Sequence, residues 1–272
     1  MIPFRNYVVS YEDRLPVIFN WARYLLHVVL RKDIVYPKVT QAIFKIIDSQ
    51  NTIAVDVGAN VGIVTRYLSQ YFKTTHSIEP IPYLASRLKH LQNQRIKVHH
   101  CALGAEDGQI TMRTPVGENG QLFHALSTAS ADNVLNMFAH QSIVECIVPQ
   151  HRLSTLISQK SCKVGYVKID VEGFEFAVLQ GALELLNRDR PVIQIEIERT
   201  HNPNYMRVIE LLTTANYIGF AIDKQGLHDV MLASLQAQSI NKNLTLNAII
   251  NNQYDFIFLP KENMLKFSSL IN

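Results

Sequence analysis

Apolar positions near the start of the chain recur at helical spacing. Leu15, Ile18, Phe19, Ala22, Leu26, Val29 and Leu30 form one stripe flanked by Arg14, Arg23 and Arg31, and predict an amphipathic helix over 14–32. Such a stripe suits a helix packed on a domain or one lying on a membrane surface, and the packed helix is the usual outcome. A second helix is predicted over 38–48, with Val39, Ile43 and Ile46 or Ile47 facing inward. From Thr52 onward, short apolar runs alternate with amphipathic segments. Strands are predicted at 52–57, 75–78, 97–102, 165–169, 192–197, 217–222 and 255–259. Helices are predicted at 62–71, 82–92, 153–159, 174–186 and 205–215. This alternation implies an α/β fold, with a doubly wound, mostly parallel sheet covered on both faces. The last two strands lack a crossover helix between them, so an antiparallel strand at the sheet edge fits there.

Two stretches interrupt the rhythm. Residues 109–116 alternate like a small extra strand after a Glu-Asp-Gly turn at 106–108. Residues 117–130, rich in Gly, Asn, Ser and Thr, read as a loop of the kind that serves as a lid or substrate loop. No repeat, low-complexity tract or linker divides the chain. Residues 1–50 are expected to form a helical cap on the same domain, and 51–272 the core.

Composition narrows the function classes. A hydrophobic fraction of 47% and a charged fraction of 18% exclude compositional disorder. The net charge of +3 is spread along the chain without a basic run, so no nucleic-acid partner is expected. No apolar stretch is long enough for a transmembrane helix, and Glu12 and Asp13 break any signal-peptide pattern. Cys101, Cys146 and Cys162 are odd in number and fit no disulfide or zinc spacing, as for reduced thiols in a cytoplasmic protein.

The densest signal is Ala54-Val55-Asp56-Val57-Gly58-Ala59-Asn60-Val61-Gly62. An apolar strand ends in an acid, turns on small residues and enters a helix. Gly58 would let a ligand approach the backbone, Asn60 tolerates a left-handed conformation, and Gly62 would let the helix start close to the strand. In open parallel sheets ligands bind beyond the carboxyl ends of the strands, where this turn lies. The dinucleotide fingerprint is broken at Asn60 and Ile63, and Asp56 suits a pyrophosphate poorly. No Walker lysine is present. S-adenosyl-L-methionine, with no phosphate but an ammonium and a sulfonium, suits the acid better. Glu79 closes the second strand, where an acid can accept both ribose hydroxyls. Asp56 alone could equally be a turn or capping residue, and Glu79 a solvated strand end. Ala102 and Leu103, before Gly104, could flank an adenine or simply pack in the core. Glu106 or Asp107 could accept the adenine amino group or belong to a turn.

A second acidic strand end is Lys168-Ile169-Asp170-Val171-Glu172-Gly173-Phe174-Glu175. The next strand ends Glu196-Ile197-Glu198, with Glu196 and Glu198 on one face. Adjacent strand ends should bring Asp170 and Glu196 together. Methyl transfer to a hydroxyl needs the acceptor held in line and its proton removed. Asp170 is the first candidate for the base, Glu196 the second, with Glu172 beside them. Asp170, Glu196 and Asn202 could instead hold a divalent cation, but no metal is expected. Glu172 and Glu175 could instead favour the start of the following helix, a role that fits Glu175 best. His124 and His201 are further candidate bases. Residues 11–13 could close over the site or form a helix turn.

At these residues the chain resembles the FkbM-type methyltransferases. The resemblance rests on 55–62, 168–175, Val178-Leu179-Gln180-Gly181-Ala182, the turn at 102–104 and the ending 254–260, with 10–13 a looser fit. It covers residues 53–260. It implies the Rossmann-like class I methyltransferase fold with a reversed last strand, S-adenosyl-L-methionine as donor, and O-methylation of a hydroxyl on a sugar or secondary metabolite. Asp56, Gly58, Asn60 and Glu79 map to donor binding, and Asp170 and Glu172 to the family's acidic motif. One departure is Ser154, where the family often has Asp opening a helix; Ser can still cap one. The expected partner is a small-molecule or glycan acceptor. Two other readings stay open: a binding module that keeps the fold without turnover, and a methyltransferase acting on nitrogen. Against the latter, the fourth strand end lacks an Asn/Asp-Pro-Pro-aromatic turn. The missing glycines and Asp56 count against an NAD-dependent oxidoreductase.

Overall fold

A computed structural model describes residues 38–117, 120, 122, 124, 127–130, 142–158, 162–197, 205–222, 227–229 and 255–271. The predicted helix at 14–32, and Glu198, His201 and Asn202, lie outside the described residues.

The sheet-forming runs are the apolar ones. In chain order they are β1 (Ile53–Val57), β2 (Thr74–Ile78), β3 (Ile96–His99), β4 (Ala102–Leu103), β5 (Gly108–Pro115), β6 (Ile143–His151), β7 (Val164–Ile169), β8 (Val192–Glu196), β9 (Tyr217–Ile222), β10 (Leu227–Asp229) and β11 (Asp255–Pro260). The helices are α1 (Lys38–Ile46), α2 (Ile63–Tyr71), α3 (Pro82–Leu88), α4 (Leu153–Leu156), α5 (Glu175–Asp189), α6 (Tyr205–Thr214) and α7 (Met264–Phe267). The main sheet has the order β10-β9-β11-β8-β7-β1-β2-β3. From β1 the chain winds outward through β2 and β3, then returns to the other side of β1 with β7. That reversal makes the carboxyl ends of β1 and β7 the natural ligand position.

The sheet is mixed in one place. β11 runs antiparallel to both β8 and β9. The expected antiparallel strand therefore exists, but it lies inside the sheet; the edge is β10, antiparallel to β9. The predicted strand at 97–102 is broken. β3 stops at His99, and Ala102–Leu103 pairs instead with β6 in a second sheet of order β4-β6-β5. The β5–β6 hairpin extends the small strand expected at 109–116 with a partner that sequence periodicity did not flag, because Glu145 and Pro149 interrupt its apolar run.

Side-chain alternation divides the core into two layers. Val55, Val57, Val167, Ile169, Ile193 and Ile195 face α5 and α6, against Val178, Leu179, Leu185 and Leu212. Ala54, Tyr166, Phe220, Ile257 and Leu259 face α1, α2 and α7, against Phe44, Leu68, Phe72 and Phe267. A smaller cluster of Ile81, Leu84, Ala102, Met112 and Val148 joins the hairpin to α3. No helix among the described residues is long and apolar enough to cross a membrane.

Candidate functional site

The turn after β1 is held by backbone bonds, two of them to the end of β2. Gly58 and Ala59 donate to the Ile78 carbonyl at 3.1 and 3.0 Å, and Gly62 donates to Ala59 at 2.8 Å. Gly58, Asn60 and Gly62 all have positive φ, at 78, 50 and 83°. A Cβ on Gly58 would collide with the Asp170 carbonyl oxygen. The neighbour that requires this glycine is thus the β7 strand end. Gly62 starts α2, and a Cβ there would lie 2.6 Å from Leu88 of α3. It admits the next helix rather than a close strand, and it does not line the cleft described next.

A cleft of about 270 Å³ opens beyond these strand ends. Gly58 and Asn60 contribute from the turn after β1, Glu79 and Ile81 from the turn after β2, and Ala102 and Leu103 from β4. Asp170 and Glu172 come from the β7 end, Phe174 from the turn into α5, and Glu196 from β8. Met112, His124, Ser127 and Ala129 close it from the hairpin side. Eight of the ten residues expected to bind donor or do chemistry therefore meet in one place; Asp56 and Gly62 do not.

Asp56 lies beneath the turn. Alternation points it away from Val55 and Val57, and it is 1% exposed. Thr65 donates to its Oδ2 at 2.6 Å and lies 2.9 Å from Ser77 Oγ. Burial pushes its pKa up to about 6, against the opposing pull of Lys168 and Thr65. Glu79 is 4% exposed, and its two oxygens accept the backbone N–H groups of Asn60 and Ile81, both at 2.8 Å. The carboxylate thus ties the β1 and β2 turns together. Each oxygen keeps a second lone pair. Burial raises its pKa to about 7 despite those two bonds.

On the other wall, Asp170 accepts a 2.6 Å charge-assisted bond from Lys168 Nζ. Glu196 sits at the next strand end. Burial first, then the Asp170 charge, pushes it up to about 8, while Lys168 pulls it down. Glu172 has φ 49°, and its carbonyl accepts the Thr128 hydroxyl at 2.7 Å, which fastens the hairpin segment to the β7 turn. Glu175 opens α5 and accepts the Gly173 N–H at 2.9 Å; burial raises it to about 7. His124 stacks on Tyr83 with ring centroids 5.6 Å apart. Asp107 is a capping group outside the cleft: it accepts the Arg152 N–H and the Thr155 hydroxyl at the start of α4. Ser154 does not cap α4; its hydroxyl oxygen accepts the Leu185 N–H of α5 at 3.1 Å. No group of three or more His, Cys, Asp or Glu among the described residues is arranged to hold a metal.

Lys168 is the residue that motif reading passed over. It is 6% exposed, in register between Asp56 of β1 and Gln194 of β8. Its signal in the sequence is a lysine inside an otherwise apolar strand. Burial works against its charge, but Asp170, Asp56 and Asp255 outweigh that and raise its pKa above the usual lysine value. The cleft wall is therefore acidic, with a single buried cation behind it among the described residues, and it favours a positively charged ligand.

The chain matches the Methyltransferase FkbM domain over residues 56–223, more than half its length. No curated protein matches it in sequence. Among solved structures it is similar to a methyltransferase FkbM from Methylobacillus flagellatus KT. That pair shares 15% identity and a TM-score of 0.45 over 77% of this chain and 44% of that one. It is also similar to an O-methyltransferase from Bacillus cereus in complex with SAH, at 14% identity and a TM-score of 0.42 over 91% and 92%. A third is an rRNA methylase from Streptococcus thermophilus, at 12% identity and a TM-score of 0.41 over 83% and 95%. The chain thus spans less than half the length of the M. flagellatus protein. With the family matched from Asp56 at the end of β1 to just beyond β9, the chain belongs to the FkbM family of S-adenosyl-L-methionine-dependent methyltransferases.

Proposed function

We propose that the protein transfers a methyl group from S-adenosyl-L-methionine to a hydroxyl of a sugar or secondary-metabolite acceptor, with Glu196 as general base and Asp170 orienting the acceptor. The observation that carries this reading is the meeting of Asp170 and Glu196 on the wall of the cleft that also holds Gly58 and Glu79. The residues present fit the donor. Glu79 offers free lone pairs to a ribose from a fixed position, and Ala102 and Leu103 offer a small apolar wall to a base. The acidic side suits a cation and repels a pyrophosphate. When bound, S-adenosyl-L-methionine supplies the methyl group and a neutral thioether leaving group.

Glu196 precedes Asp170 as the base because of their partners. Asp170 is engaged by the buried Lys168 ammonium, which suits it to holding and orienting. Glu196, raised to about 8, has a proton affinity near working pH, where a general base is most effective. It gives up its proton when a positive charge occupies the cleft, and recovers one from the acceptor hydroxyl as the oxygen–carbon bond forms. Glu172 lies at the acceptor side with Phe174 and His124. Free thiols at Cys101, Cys146 and Cys162 support a cytoplasmic, reducing setting. The packing of α1 on the core supports residues 38–50 as part of the same domain.

The test is calorimetric titration with S-adenosyl-L-methionine and, separately, NAD, followed by transfer of labelled methyl to a panel of neutral glycosides. Micromolar binding of the first alone, with label in an ether linkage, is the expected result. Folded protein that does not bind S-adenosyl-L-methionine would overturn the reading.

A further inference from the structure

Behind the cleft, one face of the main sheet carries polar groups where its neighbours are apolar. Asp56, Lys168 and Gln194 are register partners across β1, β7 and β8, and Glu196 lies opposite Asp255 across β8 and β11. Direct partners in an antiparallel pair share a face with Cβ atoms roughly 5 Å apart. Gln194 donates to Asp255 Oδ1 at 2.9 Å and accepts the Tyr166 hydroxyl. Lys168 donates to Asp170 at 2.6 Å. A row of polar groups therefore crosses four strands beside the two acids on the cleft wall.

Burying these groups costs free energy that packed apolar residues would not. A lysine left without its carboxylates would be costlier still. A network of this kind at a ligand edge fixes charge and orientation rather than adding stability. We infer that Lys168 is a positioning residue for the acidic wall, holding Asp170 in place and setting with Asp255 the charge that Asp170 and Glu196 present to the cleft. The inference rests on the reading of this cleft as the methyl-donor site. Lys168 attracts the carboxylate form of Glu196, and Asp255 repels it. The two therefore act on the same acid with opposite sign. The other charged groups facing that acid are Asp170 and Glu172.

The opposite signs define the experiment. S-adenosyl-L-methionine is titrated calorimetrically into the full chain between pH 6 and 9, in two buffers of different protonation heat, to count protons released on binding. In the unaltered protein the release profile lies between the proton affinities of the empty and the occupied site. Lys168→Met is expected to move that profile alkaline by ~1 pH unit or more. Asp255→Asn, which keeps an oxygen for Gln194, is expected to move it acid. Lys168→Arg should leave it in place. A packing role for Lys168 would lower the melting temperature without moving the profile, and that result overturns the inference. If Lys168→Met does not fold, the acid shift in Asp255→Asn decides, and its absence overturns the inference. If the unaltered protein binds no S-adenosyl-L-methionine, the reading of the cleft falls first and this inference with it. Binding with profiles unmoved in both variants overturns the inference alone.

Discussion

Single residues at the strand ends divide into those that touch the cleft and those that support it. Glu196→Gln should weaken donor binding at pH 7 by about tenfold or less, because it keeps the neutral form that Glu196, raised to about 8, gives up when the cation binds. Its methyl transfer should fall by ~10²–10⁴-fold, the usual contribution of a general base, in a labelled-methyl assay. Asp170→Asn should keep most of its donor binding and lose most turnover; near-normal turnover would remove Asp170 from the orienting role. Asp56 belongs to the support. Thr65→Val strips the hydroxyl bond to this fully buried carboxyl and should cost ~1–3 kcal/mol by urea denaturation. A loss well below that would mean Asp56 finds another partner. Acids at strand ends were legible from sequence, because an acid breaking an apolar run at a glycine turn has few structural uses. The side that Asp56 faces was not. Period-two alternation sets Asp56 opposite Val55 and Val57 and beside Lys168, and the motif masks that parity.

Between elements, the glycines of the family strings explain more than a loop's flexibility. Gly58 makes room for the Asp170 carbonyl, and Gly181 of α5 makes room for the Gly104 carbonyl after β4. Strings far apart in sequence are thus backbone contacts in space, and they set the width of the cleft between β1, β4 and β7. Gly181→Ala forces a methyl against main chain that cannot swing away. The urea midpoint should drop by an amount equivalent to ~1–3 kcal/mol with an unchanged slope. An unaltered midpoint would show that α5 can slide along the sheet. The strand and helix succession was legible because each run is long and periodic. The β5–β6 hairpin was not: it pairs residues far apart in sequence, from Pro115 with Ile143 to Gly108 with Gln150, and its outer face alternates Ile143, Glu145, Ile147 and Pro149 without a clear apolar side. The placement of Ser127 and Ala129 on the cleft follows from that hairpin, since Arg113 and Thr128 exchange both backbone bonds.

Across the whole molecule, the buried acids make stability and function oppose one another. Asp56, Glu79, Glu175 and Glu196 reach about 6, 7, 7 and 8, all raised chiefly by burial. Their folded values exceed their unfolded ones, so the folded chain binds the extra protons. The stability they contribute is full below about pH 4 and is lost as pH rises through 6 to 8. His76 and His99 are lowered by burial, so they oppose this only below about pH 6.5, where an unfolded histidine would take a proton. Above that pH the histidine opposition is gone, and the unliganded protein should lose stability from pH 6.5 to 8.5 in urea titrations. Glu196→Gln resembles the protonated acid, so it should flatten the curve between pH 7 and 8.5 by up to ~1.4 kcal/mol per pH unit. Saturating S-adenosyl-L-methionine should flatten it too, because its positive charge replaces the protons that the empty acids take up. A stability that is flat or rising with pH in the unliganded protein would mean these carboxyls are ionised in the fold, and the acidic wall could not then exchange protons for a cation.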